Sequence, residues 1–277
     1  MILLHLTVVA LYGLAAWALW PAPQGSASGD HVPGPHALRP SPALANWLVP
    51  LALALHAFQL GSETVTPAGL DLSLDNALSV VAGLVALVAW FSGLLRTMPA
   101  IATVVLPVAA VASLLPELTT RSHPFPYADQ PWAAVHVAVA LIAYSLFLVA
   151  ALQALVLMGL EKRLRHRLPD PTSDSMPPLL TLERFLFRLV GLGFVLLTFT
   201  LASGFLFSEQ VFGKPFVLTH KSILSVFGWL TFGGLLCGRW RYGWRGRIAL
   251  RWILAGTIFI FLAYLGYKFV LEVILGR

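Results

Sequence analysis

A single cysteine, Cys237, excludes an internal disulfide and a CxxC redox pair. Charge is also scarce. Lys, Arg, Asp and Glu make up 11% of the 277 residues, against about 25% in an average soluble domain. This composition excludes a disordered chain, a nucleic-acid-binding domain and a disulfide scaffold. No GxSxG, P-loop, Rossmann glycine pattern or HExxH occurs. Acyl-transfer, nucleotide and hydrolytic-zinc chemistry therefore lack their usual carriers, and a zinc site would have to be assembled from isolated residues.

What the chain has is apolar length. Hydrophobic residues reach 58% and mean hydropathy is +0.82. A bilayer core takes about 20 apolar residues per helix. Eight stretches meet that length: 2–20, 43–60, 74–95, 98–115, 131–160, 182–207, 219–238 and 248–275. They predict an all-α, polytopic membrane bundle of about eight transmembrane helices in a single membrane domain, 1–277. The first stretch lacks a basic leading segment and PAPQGS is a poor cleavage site, so it is expected to be a retained helix.

The basic residues set the expected orientation. With the N-terminus placed outside, the inner connections and helix ends hold Arg39, Arg96, Lys162, Arg163, Arg165, Arg167, Arg184, Arg188, Arg239, Arg241, Arg245, Arg247 and Arg251. The opposite side holds Arg121, Lys214, Lys221, Lys268 and Arg277. Thirteen of the 18 basic residues on one side predict a cytoplasmic face there, with both termini outside. The net charge of +6 is thus assigned to leaflet anchoring in an inner (plasma) membrane, with the lipid bilayer as partner and no nucleic acid. The Pro/Gly/Ser-rich segment 21–42 reads as an unstructured connection, and 169–178 divides the spans into five and three. The loop 208–218 is short and aromatic and is expected to lie at the outer surface between spans six and seven.

Histidines carry the chemical signal. His31, His36 and His166 fall in cytoplasmic connections, and His123 in an outer loop. His5, His56, His136 and His220 fall within or beside spans, all toward the outer leaflet, where an imidazole needs a partner. A hydrogen bond to a neighbouring helix is the plain role. The chemical role is ligation of haem iron, zinc or copper. Bis-histidine haem b ligation needs one imidazole on each iron face and a dry aromatic slot. Phe205, Phe207, Phe212 and Phe216 lie beside His220 and are candidate walls, while Lys221 is placed either to snorkel or to pair with a propionate. Acidic residues avoid the span centres, and no inverted pair of broken helices marks a transporter.

Three stretches carry a family resemblance: WAAVHVAVALIAYSLFLVAAL (132–152), SGFLFSEQVFGKPFVLTHKSILSVFGWLTFGGLL (203–236) and GRWRYGWRGRIALRWILAGTIFIFLAYLGYKFVLEVIL (238–275). LALALHAFQL around His56 adds to them. They are similar to the cytochrome c assembly protein family (CcsA/ResC and HemX-like), in particular its shorter YpjD-type inner-membrane branch. Larger members hold haem at the outer surface between histidines that flank a WGxxWxWDPKE platform. His136 matches the first of those histidines. The platform is replaced here by SGFLFSEQVFGKPFVLTHKS, and YLGYKFVLEVILGR lacks the second histidine. These departures count against haem presentation to an apocytochrome. Haem binding stays open, with His136, His220 and His56 as candidate ligands, His136 and His220 on the iron, and Lys221, Phe205, Phe212 and Phe216 around the cofactor.

The resemblance therefore implies a haem-handling membrane protein associated with cytochrome c assembly. It would work with cytochrome biogenesis or other membrane partners rather than as a stand-alone catalyst. The alternatives are a non-enzymatic assembly or regulatory partner that keeps the fold without haem, and a small-solute transporter.

Overall fold

The computed structural model describes residues 2–20, 41–66, 69–71, 73–118, 131–165, 178–206, 208, 219–270 and 274. Most of the connections 21–42, 169–178 and 208–218 lies outside the described residues, and so do His31, His36, His123, His166, Phe207, Phe212 and Phe216. Among the described residues are eight long apolar helices: α1 (Ile2–Leu19), α2 (Pro42–Thr64), α3 (Leu74–Phe91), α4 (Pro99–Ala112, continued by Leu115–Leu118), α5 (Pro131–Arg165), α6 (Leu179–Leu206), α7 (His220–Tyr242) and α8 (Arg247–Phe261). α8 continues through a π-helical turn, Leu262–Gly266, into Tyr267–Phe269. A two-residue antiparallel ladder, Val65–Thr66 (β1) with Gly69–Leu70 (β2), follows α2.

Several bounds differ from the hydropathy reading, each for a local reason. α2 runs to Thr64 instead of 60, because Gln59 and Glu63 face neighbouring helices instead of ending the span. α3 stops at Phe91 because Gly93 takes the left-handed region (φ +73°), and a single turn, Leu94–Thr97, leads into Pro99. α5 has 35 residues, about 52 Å at 1.5 Å per residue, so its EKRLR end extends past a hydrocarbon core of about 30 Å. α7 runs to Tyr242 and ends on Gly243 (φ +68°), whose N–H donates to the Arg239 carbonyl.

Along the chain five spans precede the 169–178 connection and three follow it, and contacts run through two neighbouring sets, α1–α4 and α5–α8. α1 lies on α2 and α4, and α3 lies on α2 and α4. α5 lies on α6 and α8, and α7 lies on α8 and α6. α3 packs on α5 as extensively as on α2 or α4, and α4 also touches α5, so the two sets share a continuous interface. Small residues allow the close approach expected between helices in lipid. At the centre of the second group the Phe147 and Phe232 rings stack at 3.9 Å, with Gly193 backing one and Gly256 the other. Large apolar side chains face outward, among them Phe91 (85% exposed) and Phe199 (65%). The solvent that suits such a surface is lipid, and the chain is a multi-pass membrane protein.

The arginine-rich end is fastened by ion pairs. Glu183 of α6 lies 3.7 Å from Arg239 and 3.8 Å from Arg245, and accepts from the Gly246 N–H at 3.3 Å. Arg239 also stacks its guanidinium on Phe187 at 3.5 Å. Arg247 reaches Glu161 at 3.3 Å.

Candidate functional site

α5 and α7 run in the same direction, and the Phe147–Phe232 stack fixes their relative depth. His136 stands eleven residues before Phe147, and Lys221 stands eleven residues before Phe232. Both side chains therefore leave the backbone about 16 Å above the stack, toward the charge-poor end. Lys221 is exposed, and the helices around His136 shelter only its imidazole in part. The His136 imidazole, half-buried, has its Nδ1 2.8 Å from Ser203 Oγ of α6. Gly204 next to that serine lets the ring approach: a Cβ there would sit 3.4 Å from His136 Cε1. Lys221 places its ammonium 5.3 Å from the centroid of the Tyr264 ring on α8. Tyr264 packs against Tyr144 at 5.6 Å.

The result is one imidazole held by a hydroxyl and, at the same depth on α7, an ammonium group that reaches toward the Tyr264–Tyr144 pair in the second helix group. A hydrogen bond at one ring nitrogen orients the other, which is how proteins set a histidine for iron. The ammonium suits carboxylates on the same ligand. Below Tyr264, a shallow apolar cleft between α3, α5 and α8 is lined by Val81, Leu148, Ile260 and Leu265 among others, with no histidine, cysteine or carboxylate among its described lining residues.

The four membrane histidines do not converge. His56 belongs to the first helix group, where Nδ1 lies 3.2 Å from the Tyr12 hydroxyl and Nε2 lies 3.0 Å from Ser79 Oγ. Gly83 leaves room for its ring, since a Cβ there would come within 3.2 Å of Cε1. Both ring nitrogens thus serve helix packing in α1, α2 and α3. His220 is exposed in the first turn of α7, and Phe205 is exposed near the end of α6. His136 and Lys221 share one depth, Lys221 reaches the tyrosine pair, and His56 is not among them.

A second constellation escaped the sequence reading. His5 of α1 is fully buried, with Nε2 2.7 Å from Glu63 Oε1 and 3.8 Å from Glu117 Oε2. Two turns deeper, Tyr12 meets His56, so the antiparallel pair α1 and α2 repeats a polar contact after seven residues. Gln59 lies between them and donates to the Ser113 carbonyl at 2.6 Å, tying α2 to the end of α4. The two glutamates lie in segments that hydropathy assigns to loops, so only the extra helical turns bring them to His5.

Residues 44–275 match the model of the family described as "Cytochrome C assembly protein". The chain is 33% identical over 144 residues to the inner membrane protein YpjD of Escherichia coli K12, covering 52% of this chain and 54% of that protein. It is 36% identical over 145 residues to an uncharacterized 28.8 kDa protein of Azospirillum brasilense, with the same coverage. It is 26% identical over 209 residues to the cytochrome c biogenesis protein CcsA of Thermosynechococcus vestitus, covering 61% of this chain and 66% of that protein. The chain thus spans about half the length of the first two relatives it matches. No solved structure matches it. With the family model covering most of its length, including the helices that hold His136 and Lys221, the chain belongs to the cytochrome c assembly protein family.

Proposed function

We propose that this protein handles haem in the inner membrane during cytochrome c assembly, with both termini on the outer side and His136 as an iron ligand. The observation that carries the reading is that His136 and Lys221 leave their helices at one depth, on α5 and α7 registered by the Phe147–Phe232 stack. The fit is to one axial ligand. Ser203 orients the imidazole through Nδ1, which makes Nε2 the nitrogen for iron. Lys221 and Lys268 supply positive charge for propionates, and Tyr144 and Tyr264 supply aromatic walls. When bound, haem b would supply the redox-active iron and the vinyl groups that assembly joins to cytochrome thiols. The protein's share is to bind and orient it. His220, beside Lys221, is the second candidate ligand, and Phe205, Phe212 and Phe216 are candidates for further apolar contact.

Haemin titration of the detergent-purified protein tests this reading. Saturable uptake with a Soret shift is expected, lost in His136→Ala. If both imidazoles bind, His220→Ala loses the low-spin spectrum as well; if His136 binds alone, it does not. Absence of saturable uptake in the parent protein would overturn the proposal. It would favour a haem-free assembly partner, a reading supported by the purely structural use of His56.

A further inference from the structure

We propose that His5, Glu63 and Glu117 form a site for one divalent transition-metal ion of the zinc class at the charge-poor end of the first helix group. The three residues come from α1, α2 and the turn that continues α4, and one ligand atom of each lies within 4.8 Å of the others. His5 is fully buried, and Glu63 keeps only 15% of its side chain exposed. The second Glu63 oxygen, Oε2, is buried and has no hydrogen-bond partner among the described residues. No lysine or arginine among the described residues pairs with either glutamate. Two carboxylates at the edge of a membrane bundle are costly without a compensating cation. An imidazolium supplies one positive charge; a divalent ion supplies two and also takes up carboxylate lone pairs.

Ligand chemistry narrows the ion. One imidazole and two carboxylates suit zinc and its divalent neighbours, whereas calcium and magnesium prefer all-oxygen sets and copper(I) prefers sulfur. Bonds of about 2.1 Å in a tetrahedral site place ligand atoms about 3.4 Å apart. The Nε2–Oε1 contact of 2.7 Å would therefore open by about 0.7 Å, and the 3.8 Å contact to Glu117 would close by about 0.4 Å. Glu117 is 37% exposed, which gives an entry path and leaves a fourth position for water. The ion would clasp the ends of three helices. The site shares no residue with the His136 chamber.

The test is equilibrium dialysis of the full-length protein against Zn2+, with metal content read by mass spectrometry, and a parallel Co2+ titration read by its visible bands. One equivalent is expected. Glu63→Gln and Glu117→Gln should each weaken binding by at least the order of 10–100-fold, while His136→Ala leaves it unchanged. Glu117, partly exposed at a helix end, keeps the test open should Glu63→Gln fail to fold. No stoichiometric Zn2+, or one equivalent that binds equally well to the folded glutamine variants, would overturn the proposal. Haemin uptake is read separately, so failure of one site leaves the other standing.

Discussion

Gly256→Ala probes the packing that registers α5 against α7. The added Cβ would lie 2.8 Å from Phe232 Cζ, where ordinary contact begins at about 3.4 Å, so the ring must retreat by about 0.6 Å. It has nowhere to go. Phe232 is fully buried and stacked at 3.9 Å on Phe147, which is itself backed by Gly193 so closely that a Cβ there would lie at 2.9 Å. Overpacking of this kind costs about 1–3 kcal/mol, or roughly a 5- to 150-fold fall in the folding equilibrium constant. Denaturant titration of the purified protein, followed by near-ultraviolet circular dichroism, reads that change as a lower midpoint. Phe232→Leu removes the ring face that clashes, so the double variant should lose less stability than the two single changes summed. A Gly256→Ala midpoint equal to the parent's, or strictly additive losses, would refute the four-layer column as the register device.

Three further outcomes follow from contacts elsewhere. Tyr12→Phe leaves His56 Nδ1 without its buried partner and should cost about 1–3 kcal/mol in the same titration; a neutral effect would mean that water or another group replaces the hydroxyl. Glu183→Ala releases Arg239, Arg245 and the Gly246 N–H together, and about 1 kcal/mol is expected because the arginines are partly exposed; high salt should shrink the difference from the parent. In a Cys237→Ser background, Thr219→Cys should react with an impermeant maleimide in intact cells, and Leu164→Cys only after permeabilisation. The reverse pattern would invert the orientation argued from charge.

Hydropathy made the eight spans legible because each apolar run matches the thickness of a bilayer. It also placed His136 and Lys221 near the charge-poor end. What it missed lies where a polar residue is satisfied by another helix. Gln59, Glu63 and Glu117 look like the ends of apolar runs, yet in the fold Gln59 bonds to Ser113 while both glutamates reach His5. His56 and His136 look alike as single imidazoles in apolar helices. Only their neighbours separate them: Tyr12 and Ser79 take both ring nitrogens of the first, whereas Ser203 takes one of the second. Family membership was legible in the stretches around His136 and from Ser203 onward, which lie within the matched residues.

The central claim is that His136, at the depth of Lys221, holds haem iron. Its most direct test is the absorption spectrum of the protein purified from membranes, oxidised and then reduced, beside His136→Ala prepared identically. A Soret band with reducible α and β bands in the parent, absent from a folded His136→Ala, is the predicted result. A parent protein that is colourless and takes up no haemin, or a spectrum unchanged by the substitution, would contradict it.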